Sequence, residues 1–546
     1  MRINLYKIDL KSIDEVKKEL SNGNHVYELV GSKSVNNSTF YLFINQRKRE
    51  EKKWFNELLK VFEDLKNINP NFGEIYNAIL IFESENNLFG IPFGYAYHKL
   101  RGICDPEFAM NFAEAELPSS NIELKGSIFI QNTKLKELVR YKPGSVIKHD
   151  PGESFYFVIG KPKNPYFGNK IKCGFSIEFS KEFSLENEES LNEINKFIIK
   201  VNSSSSSSRN KKISNFPRIY RLKKSDPFTK KLDDFLLKKL KEKEKGKDFE
   251  DIEVFIEHLF IFHEYGFLDF ESEVTIKYND ENDKVKLYSK KLDYTLDSIC
   301  DFLKEKDVKD LKDVRIVFQN QEMEENEFKL KDILFVHLKY EKENYVLNEG
   351  FWGKYNDSFE KIIKEKLNDI SNKKVKINEF KIKGLKNEDK IISKIVSSSL
   401  GIESLHKCFV SFQNGTIKAK KIEIADLYKD NDRELITVKR GKNRDLCYAF
   451  DQAYLGTICL SQREGIKPSK SSKTKLNKNK LEKILASKLY SILLIFEQES
   501  YSKQIKNNEF NLNNLQSFIL KLKIAWWDDF IKTTNLDYRI YVEGIG

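Results

Sequence analysis

Lys421-Ile422-Glu423-Ile424-Ala425-Asp426-Leu427-Tyr428, then the polar turn Lys429-Asp430-Asn431-Asp432-Arg433, then Glu434-Leu435-Ile436-Thr437-Val438-Lys439-Arg440: the reading of this chain turns on this stretch. Two β-favouring runs around a polar turn predict a hairpin. Alternation puts Ile422 and Ile424 on the face of Asp426, and Thr437 on the face of Lys439. An aspartate on one strand and a lysine on the next can converge at the strand ends. There the carboxylate holds a divalent cation against a phosphate, and the ammonium orients water or offsets charge on the scissile group.

Working outward, Lys386–Ser393 predicts a helix opened by Glu388. Beyond the hairpin, Gly441-Lys442-Asn443 turns into a helix predicted over Asp445–Cys459, which carries Gln452. This order resembles the PD-(D/E)xK class of restriction-endonuclease-like nucleases. Their signature is an acid on an upstream helix, an Asp on a strand and Glu/Gln-x-Lys on the next strand. The resemblance implies Glu388 and Asp426 as ligands of Mg²⁺, Lys439 orienting the nucleophile, and Thr437 and Gln452 in support. Thr437 departs from the class pattern, because a neutral hydroxyl is a poor ligand for Mg²⁺. Glu423 or Glu434 could replace it only where the strand breaks simple alternation.

The chain has 546 residues, 40% apolar, with 41 Phe and 24 Tyr, enough material for two to four domains. A net charge of +11 is compatible with an anionic partner, but 83 acidic residues stand beside 94 basic ones, so clusters carry more information than the sum. One cluster runs from Arg209 to Lys224. Arg209, Lys211, Lys212, Arg218 and Arg221 are expected there as contacts to nucleic-acid phosphates. A second lies within Lys467–Lys483 and offers Lys470, Lys473 and Lys475; Arg440 joins them from the hairpin.

Six cysteines without a CxxC pair argue against a zinc ribbon or a disulfide framework and fit a reducing interior. No apolar segment near Met1 resembles a secretion signal, and no run reaches the roughly 20 residues that span a bilayer. The expectation is a cytoplasmic protein with no membrane partner. His258 and His263 are five apart, off one helical face, and read as structural. Phosphate-loop, dinucleotide-fingerprint, HExxH and GxSxG motifs are absent.

The expected fold class is α+β multidomain. A strand-rich mixed domain spans 1–202, a Ser/Lys-rich linker 203–214, a middle α+β domain 215–345, and a C-terminal α/β region resembling a restriction-endonuclease-like core 346–546. The serine run Ser203–Ser208 marks the linker. Among individual elements, a helix capped by Ser12 is expected to Leu20, another over Trp54–Leu65, and another over Leu481–Phe496. Strands are expected over Ala78–Glu83 and Leu88–Gly94 around a polar turn, and over Cys173–Phe179.

The chain also resembles, over nearly its full length, a group of sporadically distributed bacterial proteins that carry a domain of unknown function. The marks are Ile3–Ile8, Asn87–Leu100, Gly168–Gly174 and Val346–Trp352. Asn387-Glu388, Glu423-Ile424-Ala425-Asp426-Leu427, Thr437-Val438-Lys439-Arg440 and Gln452 complete them. Ala425 and Thr437 replace the group's usual Cys and His. The resemblance implies association with mobile elements or antiviral defence. The functional expectation is therefore a nucleic-acid-targeting defence or mobile-element protein, a Mg²⁺-dependent nuclease acting alone, as a homo-oligomer or with a partner. The alternative is a catalytically inactive nucleic-acid-binding or sensor protein that acts through a partner.

Overall fold

Alternating apolar residues in the first two hundred positions form one ten-stranded sheet in which every neighbouring pair is antiparallel. The computed structural model describes residues 2–22, 26–36, 38–48, 74–129, 136–142, 145, 147, 149–185, 187–208, 216–222, 226–245, 249, 252–256, 273–279, 287–292, 295–319, 325–341, 343–382, 384–385, 387–414, 417–461, 466–468 and 476–545. The helix expected over Trp54–Leu65 and the pair His258 and His263 lie outside them. The helix Ile13–Leu20 starts at Ser12, whose hydroxyl accepts from the Glu15 amide. Glu74–Ser84 and Asn87–Phe93 pair around the expected turn. Cys173–Phe179 is not one strand: Ile171–Cys173 and Ile177–Glu182 pair with each other across a turn.

The serine run is not a linker. It completes the helix Glu188–Ser208, which buries Ile194, Phe197, Ile198 and Val201 against the sheet. Serine in a helix back-bonds to carbonyls one turn earlier, as Ser203 does to Lys200 and Ser206 to Asn202. Ser205 is buried and donates to the Phe108 carbonyl, which anchors the helix end.

A five-stranded antiparallel sheet follows, in the order Ile219–Arg221, Phe351–Tyr355, Glu343–Asn348, Leu334–Tyr340, Ile252–Ile256. The boundary read between 345 and 346 falls inside the third of these strands. A four-stranded antiparallel sheet lies beside it, and the two share a core around Leu236, Ile276, Phe302 and Trp352. Arg218 fastens this region to the first. Its guanidinium, 2% exposed, pairs with Glu107 and Glu114, while the Pro217 carbonyl accepts from the Phe155 amide.

The last region is a mixed sheet. In chain order its elements are β1 (Val375–Ile377), α1 (Glu388–Ser398), β2 (Ile402–Ser404), β3 (Leu427–Lys429), β4 (Glu434–Gly441), α2 (Asn443–Ser461), α3 (Lys478–Leu485), β5 (Leu489–Phe496), α4 (Phe518–Ile531) and β6 (Ile540–Gly544). The strand order is β1-β6-β5-β4-β3-β2, parallel from β1 to β4 and antiparallel from β4 to β2. The helix expected over Leu481–Phe496 ends at Leu485. Leu489–Phe496 is instead a parallel strand buried on both faces, where a continuous apolar run is what the environment demands. Helix α1 covers one face through Ile391, Ile392 and Ile395. Helices α2 and α4 cover the other through Phe450, Ala453, Trp526 and Trp527. Between β2 and β3 the chain leaves the sheet to form a small antiparallel sheet of Phe409–Asn414, Ile417–Glu423 and Ile466–Pro468. Among the described residues no helix is long and apolar enough to cross a membrane.

Candidate functional site

The predicted hairpin exists, but its first strand is short. Strands β3 and β4 pair only through Leu427↔Ile436, Tyr428↔Leu435 and Lys429↔Glu434. Ile424, Ala425 and Asp426 lie between two sheets rather than in a ladder. Past Ile436, β4 runs on to Gly441 paired only with β5 on its far edge. Its near edge therefore opens, and the amides of Val438 and Arg440 point into the gap.

Two carboxylates fill that gap. Asp426 Oδ2 accepts from the Val438 amide at 2.8 Å, and Glu388 Oε1 accepts from the Arg440 amide at 3.2 Å. Amides two residues apart on one strand edge are separated by about 7 Å, twice the strand rise. Glu388 is delivered by the start of α1, where Asn387 caps the helix and accepts from the Asp389 amide. Acidic residues in a first turn are favoured by the helix dipole. The Lys439 ammonium lies 3.3 Å from Glu388. The structure thus brings Glu388, Asp426 and Lys439 to one strand edge.

His406, in the turn after β2, links the cluster. Its Nδ1 is 2.8 Å from Asp426 Oδ1 and 3.4 Å from Glu423 Oε1, and its Nε2 is 2.7 Å from Asp389 Oδ1. The Lys407 amide donates to Glu423, and the Lys407 ammonium reaches Asp389 at 3.0 Å. Gln452, on α2, donates to Glu423 at 3.4 Å, so its contact is with a carboxylate of the cluster. One ligand atom each from His406, Glu423 and Asp426 lie within 4.8 Å of one another. Bonds from Asp426 and Glu423 push the His406 pKa up to about 10, which makes it an imidazolium among carboxylates. Burial raises the Asp426 carboxyl, and the His406 bond pulls against that rise. Lys407 and His406 lower Asp389.

Thr437 takes no part in this cluster. It is fully buried and shares a hydrogen bond with the Tyr490 hydroxyl at 3.0 Å; Tyr490 in turn donates to the Ile424 carbonyl. Thr437 shares a strand face with Lys439 but sits two residues deeper, buried against Tyr490, which corrects its expected place beside the metal. Glu434 is also excluded as its substitute. It opens β4 at the opposite end, buried against Tyr541 at 3.0 Å and Arg539 at 3.3 Å. Glu423 does reach the cluster, because the strand breaks after it.

The expected phosphate contacts fare unevenly. Arg209, Lys211, Lys212, Lys470, Lys473 and Lys475 lie outside the described residues. Arg218 is buried in its double ion pair and cannot touch a phosphate, since its charge is consumed by Glu107 and Glu114. Arg440 pairs with Glu497 at 2.8 Å. Arg221 stacks its guanidinium on Phe351 at 4.8 Å, in the middle sheet.

A single family model spans residues 2–510, which hold this whole cluster and every strand named above except β6. The chain belongs to DUF6119. That is a family of unknown function. No curated protein matches the chain.

Sequence reasoning missed His406 and Asp389 and gave Glu423 only a conditional role. His406 is an isolated histidine in a turn, with no spacing that marks it as a ligand. Asp389 was visible only as the neighbour of Glu388.

Proposed function

We propose that this DUF6119 chain is a divalent-metal-dependent nuclease, acting in the cytoplasm on nucleic acid in antiviral defence or mobile-element biology. The observation that carries the reading is the split edge of β4, where Asp426 and Glu388 cap alternate amides and Lys439 lies between them. The order of elements supports it too: an acid opening a helix, an aspartate entering a strand, a lysine on the next strand, then a helix bearing a glutamine. That order is the one expected of a PD-(D/E)xK core.

The donor set fits a cation. Asp426, Glu423 and His406 would hold it, with Gln452 and the Lys407 amide fixing Glu423. Carboxylate oxygens suit Mg²⁺ and Mn²⁺, while the imidazole adds affinity for later transition metals. A bound cation supplies Lewis acidity and lowers the pKa of a coordinated water. The chain's own groups do the rest. His406, an imidazolium in this fold, would have to release a proton to solvent to serve as a ligand, while Lys439 would offset charge on the scissile phosphate and Glu388 would orient Lys439. Arg440 and the basic clusters, Arg218 apart, would contact the polymer.

The test is cleavage of single- and double-stranded DNA and RNA across Mg²⁺, Mn²⁺ and Zn²⁺, with Asp426→Asn and Lys439→Ala as controls. Cleavage lost in both variants, with nucleic-acid retention intact, supports the reading; cleavage equal to wild type in either refutes it. The non-catalytic alternative draws on Thr437: the position that should supply a second carboxylate is spent on Tyr490. It predicts salt-dependent binding with no cleavage under any metal.

A further inference from the structure

A second cavity, of about 400 Å³, opens where the ten-stranded and five-stranded sheets meet, far along the chain from the carboxylate cluster. Its buried side holds two carboxylates, Glu107 and Glu114, against one guanidinium, Arg218. Arg218 is saturated by Glu107 and Glu114, and the second oxygen of Glu107 accepts from the Arg221 amide at 3.0 Å. Its open side is different. Phe351 and Phe175 line it at 36% and 38% exposure, unusual for large apolar rings in a cleft wall. The Arg221 guanidinium lies over Phe351 at 4.8 Å, and Arg101 lies over Phe175 at 5.7 Å. Lys136, exposed at the start of its strand, also lines the cavity. Among the described residues neither Lys136 nor the Arg221 guanidinium forms an ion pair. Asn348, at the turn between two strands of the middle sheet, adds a side-chain amide that makes no hydrogen bond among the described residues.

Each group asks for a complementary feature in one ligand. Exposed rings beside a stacked arginine accept a flat aromatic face. Two cations outside any ion pair among the described residues stand in this lining beside the carboxylates of Glu107 and Glu349 and accept an anion, Arg221 in a fork that matches phosphate. A free amide reads donor and acceptor edges of a base. The volume is near the lower end of small-molecule sites, which occur preferentially at junctions like this one. We propose that this cavity binds a nucleoside monophosphate unit. The base stacks on Phe351 and Phe175 with its edge toward Asn348, and the phosphate is held by Arg221 and Lys136. The ligand is either a free nucleotide or the 5′-terminal unit of a strand. The assignment shares Arg221 with the basic cluster of the cleavage reading but no residue with the carboxylate cluster on β4, so Asp426→Asn separates the two.

The experiment is isothermal titration calorimetry of the full chain with AMP, GMP, CMP and UMP. Adenosine and inorganic phosphate serve as part-ligands, and a 5′-phosphorylated hexanucleotide with its unphosphorylated form as the strand-end arm. Saturable binding is expected for at least one mononucleotide or for the phosphorylated oligonucleotide. It should weaken about tenfold or more in Arg221→Gln and in Phe351→Ala, and remain unchanged in Asp426→Asn. Arg221→Gln keeps the main-chain bond to Glu107, and Lys136→Gln, on an exposed strand end, provides a second variant that cannot unfold the core. Binding by the mononucleotides alone or by the strand end alone identifies the source. Three results overturn the proposal: no saturation by any probe, equal affinity in wild type and both cation variants, or inorganic phosphate or adenosine binding as tightly as the nucleotide.

Discussion

Replacing Arg218 by methionine tests whether a basic residue that reads as a phosphate contact is instead a structural rivet. The guanidinium is 2% exposed, and its two carboxylate partners are 15% and 7% exposed at their side chains. Arg218→Met therefore removes the guanidinium that two buried carboxyl groups share. Removing one partner of a buried ion pair costs about 3–5 kcal/mol, because the other charge stays desolvated. Burial already raises the Glu107 carboxyl, and Arg218 pulls it down, so the variant shifts Glu107 further toward the neutral acid. Its deficit should be largest at neutral pH and shrink in mild acid as the carboxyl protonates. With a urea slope of about 3 kcal/mol per molar, the midpoint should fall by about 1 M or more. The chain is multidomain, so the midpoint is read from the first transition seen by circular dichroism. The triple variant Arg218→Met, Glu107→Gln, Glu114→Gln should recover most of the loss, and the salt dependence of nucleic-acid binding should not change in it. If Arg218→Met melts like wild type, or the triple variant binds nucleic acid with a shallower salt slope, the assignment of Arg218 to the junction is wrong.

If the proposed cleavage holds, Asp426→Asn and Lys439→Ala should each lower its turnover at least a hundredfold on labelled oligonucleotides, with far-ultraviolet circular dichroism unchanged. His406→Ala should weaken Mn²⁺ binding tenfold or more by calorimetry, and equal affinity would remove the imidazole from the ligand set. A Cβ on Gly456 would overlap the Ile424 carbonyl and the Tyr490 hydroxyl, so Gly456→Ala should cost about 1–3 kcal/mol in a thermal melt and also reduce turnover by displacing the segment that carries Asp426. Burial and Lys125 hold the His149 pKa down at about 4, against about 6.5 unfolded, so His149 is neutral in the fold. Its share of stability is complete above pH 6.5 and is lost as pH falls toward 4. Urea midpoints at pH 7 and pH 5 should differ less in His149→Gln than in wild type.

Local signals were readable where chemistry and position coincide. Ser12 and Asn387 are residues that accept amide hydrogens, and each caps its helix. The turn before Glu434 and the helix carrying Gln452 follow from composition and period in the same way. What failed needed the surroundings. Leu489–Phe496 is an apolar run whose period cannot distinguish a helix from a strand buried on both faces. Serines 203–208 have no apolar signal, yet a helix already anchored by Phe197 and Val201 carries them along. Thr437 and Glu423 exchanged roles because the chain changes sheets after Glu423, a break that depends on where Tyr490 receives the Ile424 carbonyl. His406 reached the site only through tertiary placement of its turn.

Because both acidic groups grip peptide nitrogens of a single strand, the distance between them is a main-chain ruler. Exchange of side chains at 437 or 439 leaves its gradations where they are. An insertion or deletion between Val438 and Arg440 would rescale it by a whole residue step. Sequence drift in this family should therefore, Lys439 apart, vary side chains along that edge more readily than the number of residues between its two amides.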